Sequence, residues 1–396
     1  MSLCGIIAEY NPLHSGHQYQ IQKAREVSGC ESVAVVMSGA FVQRGEVAAF
    51  DKWSRAKWAL CAGADVVFEL PAVYALQAAP GFAAGGVRTL AATGMLDALS
   101  FGCEHGGEEE LMALCACSRD ARFDGLVKQH LAMGVSYAAA EQAALSCLRP
   151  DLAHLVQKPN FMLGLAYARA ISAYAPHVKL ATVRRKGADY NDPTLDGQFS
   201  SASAFRKALR SADAAERERA LSALPPFVAE DAKHLPCSGM DDLEQALLYA
   251  LRTRAPEVLS ACAGVDEGIE YPLFRAAQGA SLQEALFAVK SKRYTLARLR
   301  RMLCAVLLGI TKDMLRRAGE GPKYLRVLGV RKEKRGLLGE IAKNAAVPLI
   351  CKKADAGQLK EEDRWMYELD VLASDVAALA WKCRAGRDFT EPLIVV

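Results

Sequence analysis

Leu3-Cys4-Gly5-Ile6-Ile7-Ala8, running straight into Glu9-Tyr10-Asn11-Pro12-Leu13-His14-Ser15-Gly16-His17, decides the reading of this 396-residue chain. An unbroken run of apolar and small residues suits a strand buried on both faces of a parallel sheet. It ends in a turn rich in Asn, Pro, Ser and Gly, after which Gly16–Val27 reads as a helix. Further along, Val33–Met37, Val66–Leu70, Ala98–Phe101 and Val178–Val183 repeat the strand pattern with helical segments between them. One of these is Asp51–Ala62, with Asp51 placed to cap its N-terminus. The alternation predicts an α/β fold with a Rossmann-like, doubly wound parallel sheet.

In such a sheet, ligands bind beyond the carboxyl ends of the strands. The turn after the first strand lies at such an end. The helix that it opens offers free N–H groups and a partial positive charge, which favour phosphate. Gly16 is expected to let a nucleotide approach the backbone. His14 and His17 can donate hydrogen bonds to phosphate oxygens and stabilise the charge that builds at an α-phosphorus under attack. Two histidines in a turn are more often surface or structural groups; their place directly after the first strand tips the balance toward a nucleotide site. No GxxxxGK[ST] stretch occurs, which excludes a Walker-type loop.

Composition narrows the class. At 52% hydrophobic and 24% charged residues the chain is ordinary for a globular protein and unlike a disordered one. The uncharged stretch Leu70–Val87 contains Pro71 and Pro80 and suits a membrane span poorly. No secretory leader is expected, because the first residues lack a basic segment and run into the motif. The twelve cysteines include no CxxC, so free thiols in a reducing cytoplasm are expected rather than a zinc site.

Beyond about residue 210 the strand signals nearly vanish. Asp241-x-x-Glu244 reads as a capping box, and Leu299, Met302, Leu303, Val306, Leu307 and Ile310 form one helical stripe. Glu361–Trp381 reads as helix and Val347–Cys351 as a late strand. The expected organisation is an α/β domain over residues 1–210, a linker over 211–240 and a mostly α-helical domain over 241–396. Lys290–Arg335 holds 15 Lys/Arg against three acids, a net of +12 that leaves −8 for the rest of the chain. Such a run is commonly a solvated helix face. With Tyr294 and Tyr324 interleaved it suits RNA better, with Lys290, Lys292, Arg293, Arg298, Arg300, Arg301, Lys323 and Arg326 as candidate contacts.

His14-Ser15-Gly16-His17 resembles the (H/T)xGH signature of the nucleotidylyltransferase superfamily, whose members form adenylates and release pyrophosphate. Ser200-Ser201-Ala202-Ser203-Ala204-Phe205-Arg206 resembles its second signature, a hydroxyl-rich turn followed by a basic residue. Alone, that turn would read as an N-cap; paired with the histidines it is expected to hold the β- and γ-phosphates, with Ser203 and Arg206 nearby. More narrowly, the stretches Glu9–His14, Val36–Glu46 and Phe68-Glu69-Leu70-Pro71 resemble the tRNA(Met) cytidine acetate ligase family. So do Phe101-Gly102-Cys103-Glu104, Lys158-Pro159-Asn160, Arg184-Arg185-Lys186-Gly187-Ala188-Asp189-Tyr190, Lys290–Thr295 and Tyr324–Gly329. The resemblance runs from about residue 4 to beyond 330, and the last sixty residues match loosely.

That resemblance implies an activity: acetate and ATP give acetyl-adenylate, and the acetyl group passes to N4 of the wobble cytidine of elongator tRNA(Met), without acetyl-coenzyme A. It implies nucleotide contacts at Ile7, Glu9, Tyr10, Asn11, Pro12, His14, Gly16, His17, Gln20, Gly102, Asn160 and Arg185, with His14 and His17 catalytic. Arg184 is the alternative to Arg185 at that position. Asn160 has a second reading as N-cap of a helix Phe161–Tyr174, and Arg44, Lys52 and Arg55 either line the same cleft or are solvated surface. Mg²⁺ is expected with the triphosphate, though the sequence names no ligand for it. The expected partners are tRNA and acetate, with neither membrane nor DNA, in the cytoplasm. Two rivals remain: a nucleotidylyltransferase acting on a small cofactor precursor, and a non-catalytic nucleotide- or RNA-binding protein.

Overall fold

Strands β1 (Leu3–Ala8), β2 (Ser32–Ser38), β3 (Val66–Leu70), β4 (Leu96–Cys103) and β5 (Lys179–Arg184) are mutually parallel, in the order β3-β2-β1-β4-β5. The structure is a computed structural model that describes residues 2–103, 107–185, 200–279 and 281–396. Glu104 and the Lys186, Gly187, Ala188, Asp189 and Tyr190 of the family stretches fall outside these.

Both faces of the sheet are covered, which is why its strands are continuous apolar runs. Leu3 and Ile7 of β1 face one core with Ala34 and Val36 of β2, while Cys4 and Ile6 face the other with Val33, Val35 and Met37. Helices α1 (Ser15–Ser28), α2 (Lys52–Cys61) and α5 (Ala202–Leu209) pack on the second face through Ile21, Ala56 and Phe205. Helices α3 (Ala79–Ala91) and α4 (Pro159–Tyr174) pack on the first through Leu90 and Leu165. Gly86 allows α3 to lie against β1: a Cβ there would sit 2.7 Å from Ile7 Cδ1. Asp51 caps α2 as expected, its carboxylate accepting from Trp53 N and Ser54 N. The chain reverses its winding between β1 and β4, so a crevice opens at the carboxyl ends of these neighbours.

The C-terminal part departs from expectation. Strand β6 (Leu325–Val330) returns to the sheet antiparallel to β3, with short strands β7 (Leu349–Ile350) and β8 (Ile394–Val395) parallel to it. The expected linker is folded as helices Ala214–Ala223 and Pro226–Ala232, which bury Ala220, Leu224 and Val228 in the second core. Helices α6 (Leu296–Leu308) and α7 (Arg364–Trp381) share the first core with α3, because the stripe Leu299, Met302, Leu303 and Val306 has no separate layer to pack against. The capping box lies elsewhere too. Asp242 reaches back to Gly239 N at 2.8 Å, while Glu244 accepts from Leu282 N.

Candidate active site

The turn after β1 is held by unusual backbone. Tyr10 lies in the left-handed region at φ 46°, and the Asn11–Pro12 bond is cis. Asn11 Oδ1 accepts from Ala49 N at 2.7 Å. His14 is the N-cap of α1: its Nδ1 accepts from Gly16 N at 3.1 Å, and His17 Nδ1 accepts from His14 N at 3.4 Å. An imidazole that accepts at Nδ1 carries its proton on Nε2. The two rings stack at 3.8 Å between centroids, with the Tyr10 ring edge-on to His17 at 5.0 Å and Phe205 beside His14 at 5.9 Å. Burial, reinforced by Arg185, lowers the His14 pKa to about 3. Burial, the neighbouring His14 and Arg185 hold His17 well below its ordinary value. Both are therefore neutral donors, available through Nε2–H to the cleft that they line.

That cleft encloses about 1080 Å³, counting its open mouth. Of the sequence-derived candidates, Ile7, Glu9, Tyr10, Asn11, His14, His17, Gln20, Gly102, Asn160, Arg185, Ser203 and Arg206 all line it. Pro12 and Gly16 do not. A Cβ on Gly16 would sit 3.0 Å from His14 Cε1, so this glycine makes room for the histidine ring. Arg184 is exposed, whereas Arg185, whose N–H donates to Cys103 O at 3.0 Å, turns into the cleft. Helix α4 begins at Pro159 with Lys158 as its N-cap, so Asn160 is not a cap and stands buried at the cleft wall. Ser201 caps α5 by accepting from Ala204 N, and Ser203 and Arg206 face the cleft from the first turns; cap and phosphate-type donors coexist there. Arg206 also donates to Asn11 O at 2.7 Å, tying α5 to the histidine turn.

Sequence reasoning missed the apolar wall: Phe82, Phe101, Leu163 and Tyr167. Phe101 lies near the carboxyl end of β4, beside Gly102, and was within reach of the carboxyl-end rule. The other three arrive from α3 and α4 across the sheet, and nothing local marks them.

Two basic residues read as either cleft-lining or solvated surface are neither. Arg55 is wholly buried and donates to the carbonyls of Phe50 at 3.0 Å, Glu9 at 2.7 Å and Ser38 at 2.9 Å, and also to Gly39 O. It clamps the turns after β1 and β2 together. Lys52 is also buried, pairing with Glu69 at 2.8 Å and Asp388 at 2.7 Å. Arg44 does line the cleft. The candidate RNA contact Arg326 is likewise corrected. It lies opposite Glu69 in the antiparallel β3–β6 register and pairs with Asp388 at 2.9 Å, buried. Tyr324 is buried against Asp370 rather than offered to a base. Lys323 is held between Glu320 and Asp363. Arg300 pairs with Glu46, and Arg301 donates to Gln43 O at 3.2 Å. Lys290, Lys292 and Arg293 remain exposed, and Arg298 lies half-buried over the Tyr294 ring at 4.5 Å.

A reversed α/β crevice with a His-x-Gly-His turn at a helix start defines a nucleotidyl transferase of the HIGH type, and the family model described as HIGH Nucleotidyl Transferase matches residues 1–390. The tRNA(Met) cytidine acetate ligase of Thermoanaerobacter sp. strain X514 is 36% identical over 412 residues, covering 100% of both chains. That of Kosmotoga olearia is 35% identical, over 96% of this chain and 95% of the relative. The crystal structure of apo Thermotoga maritima TmcAL superposes with a TM-score of 0.93 at 29% identity over both full chains. The same enzyme bound with alpha-thio ATP gives 0.91 at 28% identity, again over the full length of both. The chain belongs to the tRNA(Met) cytidine acetate ligase family.

Proposed function

We propose that this protein is an ATP-dependent acetate ligase that forms acetyl-adenylate and transfers the acetyl group to N4 of the wobble cytidine of elongator tRNA(Met). The observation that carries it is the pair of neutral, stacked imidazoles at the start of α1, lining a cleft that combines phosphate donors with an apolar wall. The donor set fits a nucleoside triphosphate. Phe101 and Tyr167 suit the adenine face, while His14, His17, Ser203, Arg206 and the start of α5 suit the phosphates. An acetate oxygen attacks the α-phosphorus and pyrophosphate leaves. The two Nε2–H groups stabilise the charge that develops, without a proton transfer of their own. The cytidine N4 then attacks the acetyl carbonyl carbon, AMP leaves, and N4 loses a proton.

Mg²⁺ carried on the β- and γ-phosphates would neutralise the leaving group. Among the described residues no group of three or more His, Cys, Asp or Glu is placed to hold a metal ion. The helical half supplies tRNA binding through Lys290, Lys292, Arg293 and Arg298. The substrates favour a cytoplasmic setting, and no helix among the described residues is long and apolar enough to cross a membrane.

The test is to incubate the protein with ATP, labelled acetate and bulk tRNA. Pyrophosphate release should require acetate, and label should appear on tRNA cytidine. Acetyl-coenzyme A without ATP should give no transfer. Transfer from acetyl-coenzyme A alone, or pyrophosphate release indifferent to acetate, overturns the reading.

A further inference from the structure

A second cleft of about 2020 Å³ lies between the α/β part and the helical part, and Gln43 lines both it and the adenylate cleft. The junction is built, not incidental. Gln43 N donates to Glu9 Oε1 at 2.8 Å on the adenylate side, and Gln43 O accepts from Arg301 on the other. Glu46, across the same turn, pairs with Arg206 of the adenylate cleft and Arg300 of α6. Gly45 at the tip has φ 75°, and a Cβ there would meet Arg301 N at 2.3 Å, so the turn rests directly on the α6 backbone. Helix α4 likewise serves both spaces, with Leu163 and Tyr167 toward one and Met162, Ala166 and Arg169 toward the other.

The lining of the second cleft is apolar within and cationic at the sides. Met162, Met302 and Ile310 contribute to its floor. Four arginines, Arg169, Arg293, Arg298 and Arg301, face two acids, Glu141 and Glu267. Arg169 pairs with Glu141 but leaves Nε and Nη2 buried without a partner. A buried guanidinium with unmet donors is costly unless an acceptor arrives. An apolar floor, arginine donors and a cationic rim together match single-stranded RNA, whose unstacked bases offer an apolar face, acceptor edges and phosphates. A duplex would keep its bases stacked inside and find no use for an apolar floor.

Resting on the ligase reading above, we propose that this second cleft receives the single-stranded segment of the RNA substrate that carries the reacting base. The Gln43–Glu46 turn is then the threshold across which the exocyclic amine meets the adenylate. Arg293 and Arg298 take phosphates at the rim, and Arg169 meets acceptor atoms of a base lodged inside.

Ala138→Trp and Ala78→Trp test this, since both alanines are exposed and line the second cleft but not the first. Either bulky ring should weaken tRNA binding and lower acetyl transfer by about tenfold or more, the scale of losing one base-stacking contact. Acetate-dependent pyrophosphate release, measured without RNA, should match the wild type, which also shows that the variant is folded. Lys343→Glu, outside both clefts, should bind tRNA normally. A single-stranded oligoribonucleotide with the anticodon-loop sequence should compete for binding, and a duplex of equal length should not. Normal tRNA binding by both tryptophan variants, or equal competition by duplex, overturns the proposal. Wild-type protein that binds tRNA but releases no pyrophosphate with acetate would instead overturn the ligase reading, leaving the binding result to judge the cleft.

Discussion

Two clusters of charged and polar side chains sit at the carboxyl edge of the same sheet and behave in opposite ways. Behind β3, Lys52, Glu69, Arg326 and Asp388 are buried and paired with one another. Against the burial that would raise it, Lys52 and Arg326 hold the Asp388 carboxyl low. Beside β1, His14, His17, Arg185, Ser203 and Arg206 line a cleft in which Glu9 is the one acid among the described lining residues, and burial raises the Glu9 pKa. Charges that find partners within the chain fasten β6 and the C-terminal turn to β3. Beside β1, Arg206 meets Glu46 at 3.6 Å, yet the donors are turned into an open cleft, which is what a polyphosphate needs. Residue type alone does not separate the two; burial among counter-charges or exposure to a cleft does.

The largest expected effect comes from breaking the closed cluster. Lys52→Met strands Glu69 and Asp388 in the interior and should cost about 3–5 kcal/mol of stability, read from denaturant unfolding. Adenylate formation per folded molecule should change little, and unaltered stability would show the cluster to be slack.

Next comes the open cluster. His14→Asn keeps a capping acceptor for α1 yet removes the Nε2–H, and His17→Ala removes the second donor. Each should lower acetate-dependent pyrophosphate release by about 10²–10³, with a much smaller effect on ATP affinity. Near-normal turnover in either would remove that histidine from the chemistry.

Reversing exposed charges is milder. Changing Lys290, Lys292 and Arg293 together to Glu should weaken tRNA binding by about tenfold or more and flatten its salt dependence, because fewer counterions are released. Arg300 and Arg301 are left alone here, since Glu46 and Gln43 bind them to the threshold turn.

The histidines also set a pH dependence. Their folded pKa values lie below the unfolded value of 6.5, with His14 at about 3. The unfolded chain therefore takes up protons first as the pH falls, and stability is lost below about 6.5, by up to about 1.4 kcal/mol per pH unit for each ring. His14→Asn should flatten that slope in pH-dependent unfolding. The smallest effect is Ser201→Ala, a lost cap worth about 1 kcal/mol of stability. Ser203→Ala should leave stability alone and weaken ATP binding.

Much of the α/β part was legible. Unbroken apolar runs identified β1 to β5, and the His-x-Gly-His turn lay where a parallel sheet places its ligand. Asn160 and Arg185, read from short family stretches, line the cleft. The exceptions share a cause. Lys52, Arg55 and Arg326 each looked like available cations, because a linear sequence does not display the carboxylates and carbonyls that surround them. Strand β6 was hidden inside a basic segment whose charge drew attention to RNA, and its six residues are too few for periodicity to separate strand from helix.

By itself the sequence determined the strand–helix alternation, the His-x-Gly-His turn at the head of α1 and the family, because these depend on residues close together along the chain. The tertiary structure decided which cations are spent inside, which aromatic side chains wall the adenylate cleft, and that one short turn at Gln43 joins two clefts. Each of these depends on groups far apart in the chain, such as Glu69 and Asp388 or Glu9 and Arg301, which become neighbours only when the sheet closes around them.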